Sequence, residues 1–431
     1  MASGSLNLPT VKYYPAEQFG LSKSQISKAA LTVLKGLNKH GYDSYLVGGC
    51  VRDLLLGVEP KDFDVVTNAS PEDIHSIFRS ARIIGRRFRL VHVRFGRDII
   101  EVATYRGHPG SQLSEEGRLL SDNVYGSRDE DAVRRDLPVN AMYYDPAASE
   151  VLDYHNALAD IEAGILRTIG DPVIRFREDP VRMLRVVRFS AKLGFQIEKQ
   201  TASAINDLAQ LLEDVPPARL FEEVLKLFHS GSAVTTFERL RQHDLFEYLF
   251  PATEEILATL DHDFPRTFLP LALENTDKRI AVGKPVIPAF LFAVLLWEPY
   301  HQQMQAYMHQ GIGEYESIHM AANVVIEQQI RIVAIPKRFT AQVREIWEMQ
   351  YFFDKQRKRQ VYRLLENRKF RAGYDFLLLR ASVGQAVQET ADWWTRLQEE
   401  DEVGRRRMIN DLAGGTSRRR KRRKPRNKVQ N

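Results

Sequence analysis

Along the 431-residue chain the spacing of apolar positions changes character once, near residue 156. Before that point short helical and strand-like stretches alternate. Ile26, Ala30, Val33, Leu34 and Leu37 recur at helical spacing, predicting a helix over 22–40 that stops at Gly41. Tyr42–Val47 reads as a strand broken by Gly48-Gly49, and Val51–Leu56 as a short helix closed by Gly57. Asp62–Thr67 reads as a second strand. Ser70-Pro71-Glu72-Asp73 has the composition of a helix start: a capping serine, proline in the first turn, then acids. Phe88–Phe95 and Asp98–Tyr105 read as strands joined at the Gly96-Arg97 turn, with further strands at Val139–Tyr144 and Val151–Tyr154. Residues 107–130, rich in Gly, Ser, Asp and Glu, read as a mobile loop. From 156 to about 400 the pattern is helical throughout, so an α/β part precedes an all-α part. The divisions expected are an extension over 1–21, a head over 22–155, a helical neck over 156–235, a helical body over 236–403 and a disordered tail over 404–431.

Charge refines this division. The chain carries 61 Lys and Arg against 56 Asp and Glu, a net charge of +5. Nine of those cations, and no acid, fall in residues 416–431; the remainder holds 52 cations against 56 acids, a net −4. The surplus is a basic arm on a mildly acidic body, which excludes a uniformly basic particle. One cysteine, Cys50, excludes an intrachain disulfide framework and the usual cysteine zinc sites, and suits a reducing, cytoplasmic setting. The most apolar run, Ile287 to Trp297, is far shorter than the roughly 20 residues of a membrane helix.

The residues that carry chemistry begin with Asp62-Phe63-Asp64. On a strand, residues two apart share a face about 7 Å apart, so Phe63 points into a core and the two carboxylates stand together. Such a pair suits hard divalent cations, including the two-ion arrangement of phosphoryl and nucleotidyl transfer. Glu101, alone in the apolar run Ile99-Ile100-Glu101-Val102-Ala103, is a third candidate ligand. Twelve residues before Asp62, Gly48-Gly49 sits at a strand-to-helix junction where backbone N–H groups can approach a phosphate. Arg52 and Asp53 follow, the arginine suited to phosphate. Together these form a coherent site for a metal-bound triphosphate.

The stretch Leu46-Val47-Gly48-Gly49-Cys50-Val51-Arg52-Asp53-Leu54-Leu55-Leu56-Gly57, followed by Asp62-Phe63-Asp64, resembles the first motif of the class II template-independent nucleotidyltransferases. That family contains the tRNA CCA-adding enzymes and the bacterial poly(A) polymerases. Arg134-Arg135-Asp136 with Asn140-Ala141 resembles its second motif, which contacts ribose and triphosphate; Glu178-Asp179-Pro180-Val181-Arg182 resembles the motif that reads the incoming base. The stretch from Ile83 to Val93, Pro216 to Glu223, Ala334 to Arg338 and the basic tail resemble the polyadenylating branch. Leu137-Pro138 stands where the family usually has an aromatic residue and threonine. Cys50 occupies a small-residue position and reads as packing.

The resemblance implies an α+β nucleotidyltransferase head of the DNA polymerase beta type, followed by all-α neck and body domains. It implies catalytic roles for Asp62, Asp64 and Asp136, and metal binding by Asp62, Asp64 and Glu101. Nucleotide contacts are implied for Gly48, Gly49, Arg52, Asp53, Arg135, Asn140, Asp179, Arg182, Arg185 and Arg188. The expected activity is addition of AMP from ATP to RNA 3′ ends with two Mg²⁺ ions, Mn²⁺ able to substitute. The expected substrate is single-stranded mRNA or small RNA, handled by a monomer with partners among RNA-decay proteins. A CCA-adding enzyme is the alternative in the same class, and a non-catalytic RNA-binding adaptor the alternative in another.

Residue patterns support parts of this independently. Asp179 reads as an N-cap and Gly194 as the stop of a helix on which Arg182, Arg185, Arg188 and Lys192 share one face, opposite Met183, Leu184, Val187 and Ala191. Residues 82–97 hold six arginines and no acid, a candidate phosphate-binding wall. Residues 331–371 hold twelve cations and four acids among Trp347, Tyr351, Phe352 and Tyr362; the cations suit RNA, the aromatics a helical core. His243-Asp244 and His262-Asp263 lack the further histidines of a metal phosphohydrolase and read as structural.

Overall fold

The computed structural model describes residues 9–85, 89–107, 124–259, 263–385 and 387–412. Arg86 and Arg87 of the arginine run, most of the 107–130 loop, His262 and the basic tail beyond 412 lie outside the described residues.

In chain order the first part contains β1 (Lys12–Pro15), α1 (Lys28–Lys39), β2 (Ser44–Val47), α2 (Gly49–Leu55), β3 (Asp64–Thr67), α3 (Pro71–Ile77), β4 (Ala81–Ile84), β5 (Leu90–Phe95), β6 (Asp98–Thr104), α4 (Arg128–Arg134), β7 (Tyr143–Asp145) and β8 (Glu150–Asp153). The helical part follows with α5 (Ala157–Ala163), the two-residue β9 (Ile165–Leu166), α6 (Pro172–Glu178), α7 (Val181–Leu193), β10 (Gln196–Ile197), α8 (Lys199–Leu208), α9 (Pro217–Phe228), α10 (Ala233–Gln242), α11 (Phe246–Leu249), α12 (Pro251–Thr259), α13 (Asp263–Ala281), α14 (Pro288–Leu295), α15 (Trp297–His309), α16 (Glu314–Ile332), α17 (Lys337–Lys355), α18 (Lys358–Leu365), α19 (Phe370–Ser382), α20 (Gln388–Glu399) and α21 (Glu402–Asp411). Two compact units result, one of residues 1–216 and 235–248, the other of 217–234 and 249–431.

The first unit is built on an eight-stranded sheet in the order β1-β8-β7-β2-β3-β6-β5-β4. The β3–β6 pair is parallel and its neighbours are antiparallel. Alternation works as expected: Leu46, Val65, Val91, Val93 and Val102 join α1 and α3 in one core, while Val47 and Val66 meet Ala132 of α4, Tyr143 and Tyr154 on the other face. Asp64, two residues before Val66 on β3, shares that second face.

Several boundaries differ from the expected ones. The helix over 22–40 resolves into a 3-10 turn (Lys23–Gln25) and α1, because Ser27 accepts the Ala30 N–H at 3.1 Å and caps the helix there. Val139–Tyr144 is a 3-10 turn at Pro138–Asn140 before β7 begins at Tyr143. The strand expected from Asp62 starts at Asp64. Leu46 pairs with Val65 and β2 ends at Val47 before the Gly48 turn, so Asp62 and Phe63 have no β2 residue opposite them; Asp62 lies in the bend before β3. Strict alternation therefore does not govern Asp62, although Phe63 is buried as expected. Asp179 is the C-cap of α6, and Pro180 rather than Asp179 precedes α7; Asp179 Oδ1 still accepts the Val181 N–H at 3.3 Å.

In the second unit Trp347 is core: its ring stacks on Tyr300 at 4.2 Å and its Nε1 donates to the Ala293 carbonyl at 3.1 Å. Tyr351 and Phe352 are half-buried and Tyr362 is exposed. Among the described residues no helix is long and apolar enough to cross a membrane.

Candidate active site

Gly48 turns the chain from β2 into α2 with φ 78° and ψ −131°, a conformation that L side chains avoid. Its N–H donates to the Met142 carbonyl at 3.3 Å, and a Cβ there would stand 3.7 Å from the Asn140 carbonyl oxygen and 3.8 Å from Arg135 Nη1. A guanidinium thus lies directly beside the glycine turn. Cys50, one turn on, is buried; burial pushes its thiol up to about 12, which makes it packing and not a nucleophile.

Asp64 faces the same region. Burial, then the charges of Glu101 and Asp62, raise its carboxyl to about 6, against the opposing pull of Arg135. Glu101 is the register partner of Asp64 on the adjacent parallel strand. The three acids therefore form an electrostatically strained set of hard oxygen donors, which fits a divalent cation in charge and donor type. Among the described residues they do not converge as a preformed cage. Glu101 is about half exposed and accepts from His92 Nε2 at 3.1 Å.

The second motif follows α4, whose start is a capping box between Ser127 and Glu130. Arg135 Nε and Nη2 donate to Asp131 Oδ2 at 3.0 and 2.8 Å, and the Tyr143 hydroxyl donates to the same oxygen at 2.7 Å. Burial, the largest single influence, would raise Asp131, but Arg135, the Tyr143 hydroxyl and the Arg106 N–H together outweigh it and the carboxylate is held below its ordinary range. Leu137 is extended and buried, and Pro138 opens the 3-10 turn, so the Leu137-Pro138 pair gives a regular backbone here. The turn presents Asn140, whose Oδ1 accepts from Arg52 Nη1. Arg52 is 2% exposed and also donates to Asp53 from Nε (2.8 Å) and Nη2 (2.6 Å). It braces the first motif against the second from within the protein.

Asp136 is likewise engaged. Its Oδ2 accepts from Arg185 Nε at 2.6 Å, and its Oδ1 from the Leu137 N–H at 2.9 Å. Burial, the largest single influence, opposes ionisation, but Arg185, the Leu137 N–H and the charge of Arg182 together prevail and the pKa lies below the ordinary value. Asp136 thereby pins the basic face of α7. Three guanidinia, those of Arg52, Arg185 and Arg188, lie 4.8–5.6 Å from the centroid of the Phe189 ring on that helix. Lys192 adds to the field: burial, with Arg52, Arg188 and Lys61 nearby, lowers its pKa against the pull of Asp53. Cations thus gather beside the acid set in one unit, the distribution a metal-bound polyphosphate requires.

Arg175, at the middle of α6, ties the second and third motifs together. Its Nη2 donates to the carbonyls of Arg134 (2.7 Å) and Arg135 (2.6 Å), and its Nη1 to Glu178 at 2.8 Å. Arg182 Nη1 reaches the same Glu178 oxygen at 2.9 Å.

The chain is similar to known proteins. Residues 44–167 match a family described as the poly A polymerase head domain, 194–257 a probable RNA and SrmB-binding site of polymerase A, and 310–428 the polymerase A arginine-rich C-terminus. The chain is 44% identical over 432 residues to poly(A) polymerase I of Salmonella typhi, covering 98% of this chain and 93% of that protein. The chain belongs to the bacterial poly(A) polymerase I family. A CC-adding tRNA nucleotidyltransferase of Halalkalibacterium halodurans is 38% identical, but over only 47% of this chain. The solved Bacillus stearothermophilus CCA-adding enzyme in complex with CTP superposes with a TM-score of 0.56 at 25% identity, over 86% of this chain and 81% of that one.

For this poly(A) polymerase family member, the structure brings Gly48, Gly49, Arg52, Asp53, Asp64, Arg135, Asp136, Asn140 and Arg185 into one connected network. Asp179 and Arg182 stand at the junction of α6 and α7. Sequence reasoning did not single out Asp131, Arg175 or Phe189. Asp131 carried a faint signal, since an acid four residues before Arg135 on a helix is an ion-pair spacing. Arg175 acts on backbone carbonyls, which no residue pattern marks. Replacing Gly48 by alanine is expected to cost about 1–3 kcal/mol from backbone strain alone. Thermal melting should register the loss, accompanied by slower nucleotide transfer because a side chain at φ 78° strains the turn that lies beside Arg135.

Proposed function

We propose that the chain extends RNA 3′ ends with AMP from ATP, without a template, by metal-dependent nucleotidyl transfer. The observation that carries this reading is the joining of three motifs in one unit: the acid set at Asp64, the Gly48 turn beside Arg135, and α7 pinned through Asp136–Arg185. Asp62 and Asp64, with Glu101 near, would hold divalent ions, for which we propose Mg²⁺; bound there, these would supply Lewis acidity to the 3′-hydroxyl and the triphosphate. The 3′-hydroxyl gives up its proton to solvent as its oxygen forms a bond to the α-phosphorus; the bond from the α-phosphorus to the α–β bridging oxygen breaks and pyrophosphate leaves. The backbone at Gly48 and the Arg135 guanidinium orient the phosphates. Asp179, Arg182 and the exposed side of α7 offer the acceptor and donors that distinguish adenine. Arg52 and Asp136 serve as braces of this surface.

On this reading residues 22–155 form the catalytic head, 156–235 a neck for base and RNA contact, and 236–403 an RNA-binding body with the basic tail beyond. The chain works in the cytoplasm as a monomer on mRNA or small RNA. The test is primer extension with the full chain, Mg²⁺ and each nucleoside triphosphate in turn. Long tracts with ATP and little extension with CTP are expected. Two C residues and a single A on a tRNA primer, without tracts, would favour the CCA-adding alternative. RNA binding without pyrophosphate release would favour the adaptor.

A further inference from the structure

The second unit holds a cavity of about 590 Å³ between the second half of α13, the 282–287 connection and one side of α19. Its volume lies within the ~300–1,000 Å³ range of built binding pockets. The walls are aliphatic: Val286, Leu378 and Leu379 line it, and at its lip Val282 is 66% and Ile287 40% exposed. The rim is cationic, formed by Lys278, Arg279, Lys284, Arg368, Lys369 and Arg371. The one acid in the lining, Asp375, is taken by Arg371 Nε at 2.8 Å. Among the described residues Lys284 and Arg368 have no ion-pair partner.

We propose that this groove docks an acidic amphipathic helix of a partner protein, placing aliphatic side chains in the cavity and carboxylates along the rim. Charge complementarity demands an anionic occupant. The walls decide its kind. Single-stranded nucleic acid is held by bases stacked on open aromatic faces, whereas the aromatic residue of this lining, Phe290, already packs edge-on against Phe376 at 5.9 Å. Exposed valine and isoleucine instead match the spaced apolar anchors of a helix laid in a groove. The site is additional to the transfer chemistry and does not depend on it.

The test uses the full chain and a fluorescein-labelled peptide of about 18 residues, five helical turns. Leucines sit at i, i+3, i+4 and i+7 spacing, with glutamates elsewhere. The expected result is anisotropy-detected binding, at least about tenfold tighter than a shuffled peptide of the same composition. Val282→Asp with Ile287→Asp should weaken it by at least about tenfold. Lys278→Glu with Lys284→Glu should weaken it and reduce its salt dependence. AMP addition to a saturating primer should stay within about twofold for both pairs, with unchanged circular dichroism melts. Absence of binding, or equal binding of the shuffled peptide, overturns the proposal. So does displacement of the peptide by an oligoadenylate whose own affinity falls equally in both variants, which would make the groove an RNA surface.

Discussion

Asp64→Asn is expected to lower AMP transfer by about 10³-fold or more, ~4 kcal/mol of transition-state stabilisation, while making the fold more stable. The two effects share one cause. The native Asp64 carboxyl is raised to about 6 by burial and by the neighbouring Glu101 and Asp62, whereas an unfolded aspartate titrates near 3.8. Below pH 4 both states are protonated and the group is neutral to stability. Between pH 4 and 6 the native state binds more protons than the unfolded one, so stability falls as pH rises. Above pH 6 the full penalty is present, on the order of 1–3 kcal/mol once partial exposure is allowed for. Asparagine removes it. Melting curves in EDTA should therefore show the variant more stable than the parent at pH 8 and nearly equal to it at pH 4. An unchanged transfer rate would remove Asp64 from the site; a variant less stable at pH 8 would show that its charge is compensated in the fold.

How far the fold was legible depended on whether each element carries its own signal. The β2–Gly48–α2–β3 run was legible because alternation, a glycine pair and helical spacing succeed one another within about 25 residues. β1 was not: four residues with Tyr13 exposed have no pattern, and the strand exists because β8, far along the chain, supplies its partner. α4 has no apolar periodicity, its sequence Arg-Asp-Glu-Asp-Ala-Val-Arg being mostly charged, so the loop reading over 107–130 takes in its first three residues and nothing marks the rest. The capping box at Ser127 and Glu130 was its one local signal.

The site shows the same division. Paired acids and a glycine turn are conspicuous because their chemistry restricts residue choice. Their partners are less visible. Arg52 and Asp136 fit a nucleotide-facing pattern in sequence, yet both are satisfied within the protein, by Asn140 with Asp53 and by Arg185. Spacing along the chain cannot distinguish a guanidinium that meets substrate from one that positions a neighbour, because the distinction lies in contacts between motifs far apart in sequence.

Arg175 is the strongest case of such positioning, and Arg175→Ala should have the second-largest effect. The guanidinium satisfies two carbonyls at the start of the second motif and shares Glu178 with Arg182 of the third. Burial and the nearby Arg182 push it down to about 10, so it stays protonated at neutral pH. Truncation leaves those carbonyls without that donor and Glu178 with one cation, a loss of about 2–4 kcal/mol. Because Arg182 is oriented through Glu178, the effect should extend to base choice. Assayed well below the melting midpoint, the variant is expected to show a raised KM for ATP and a several-fold fall in the ratio of AMP to CMP incorporated. Arg175→Lys should recover part of the stability but not the ratio, since a single ammonium cannot reproduce the planar fork that spans two carbonyls and a carboxylate. A variant that melts earlier yet keeps its KM and incorporation ratio would reduce Arg175 to a stabilising contact and leave base selection to α7 alone.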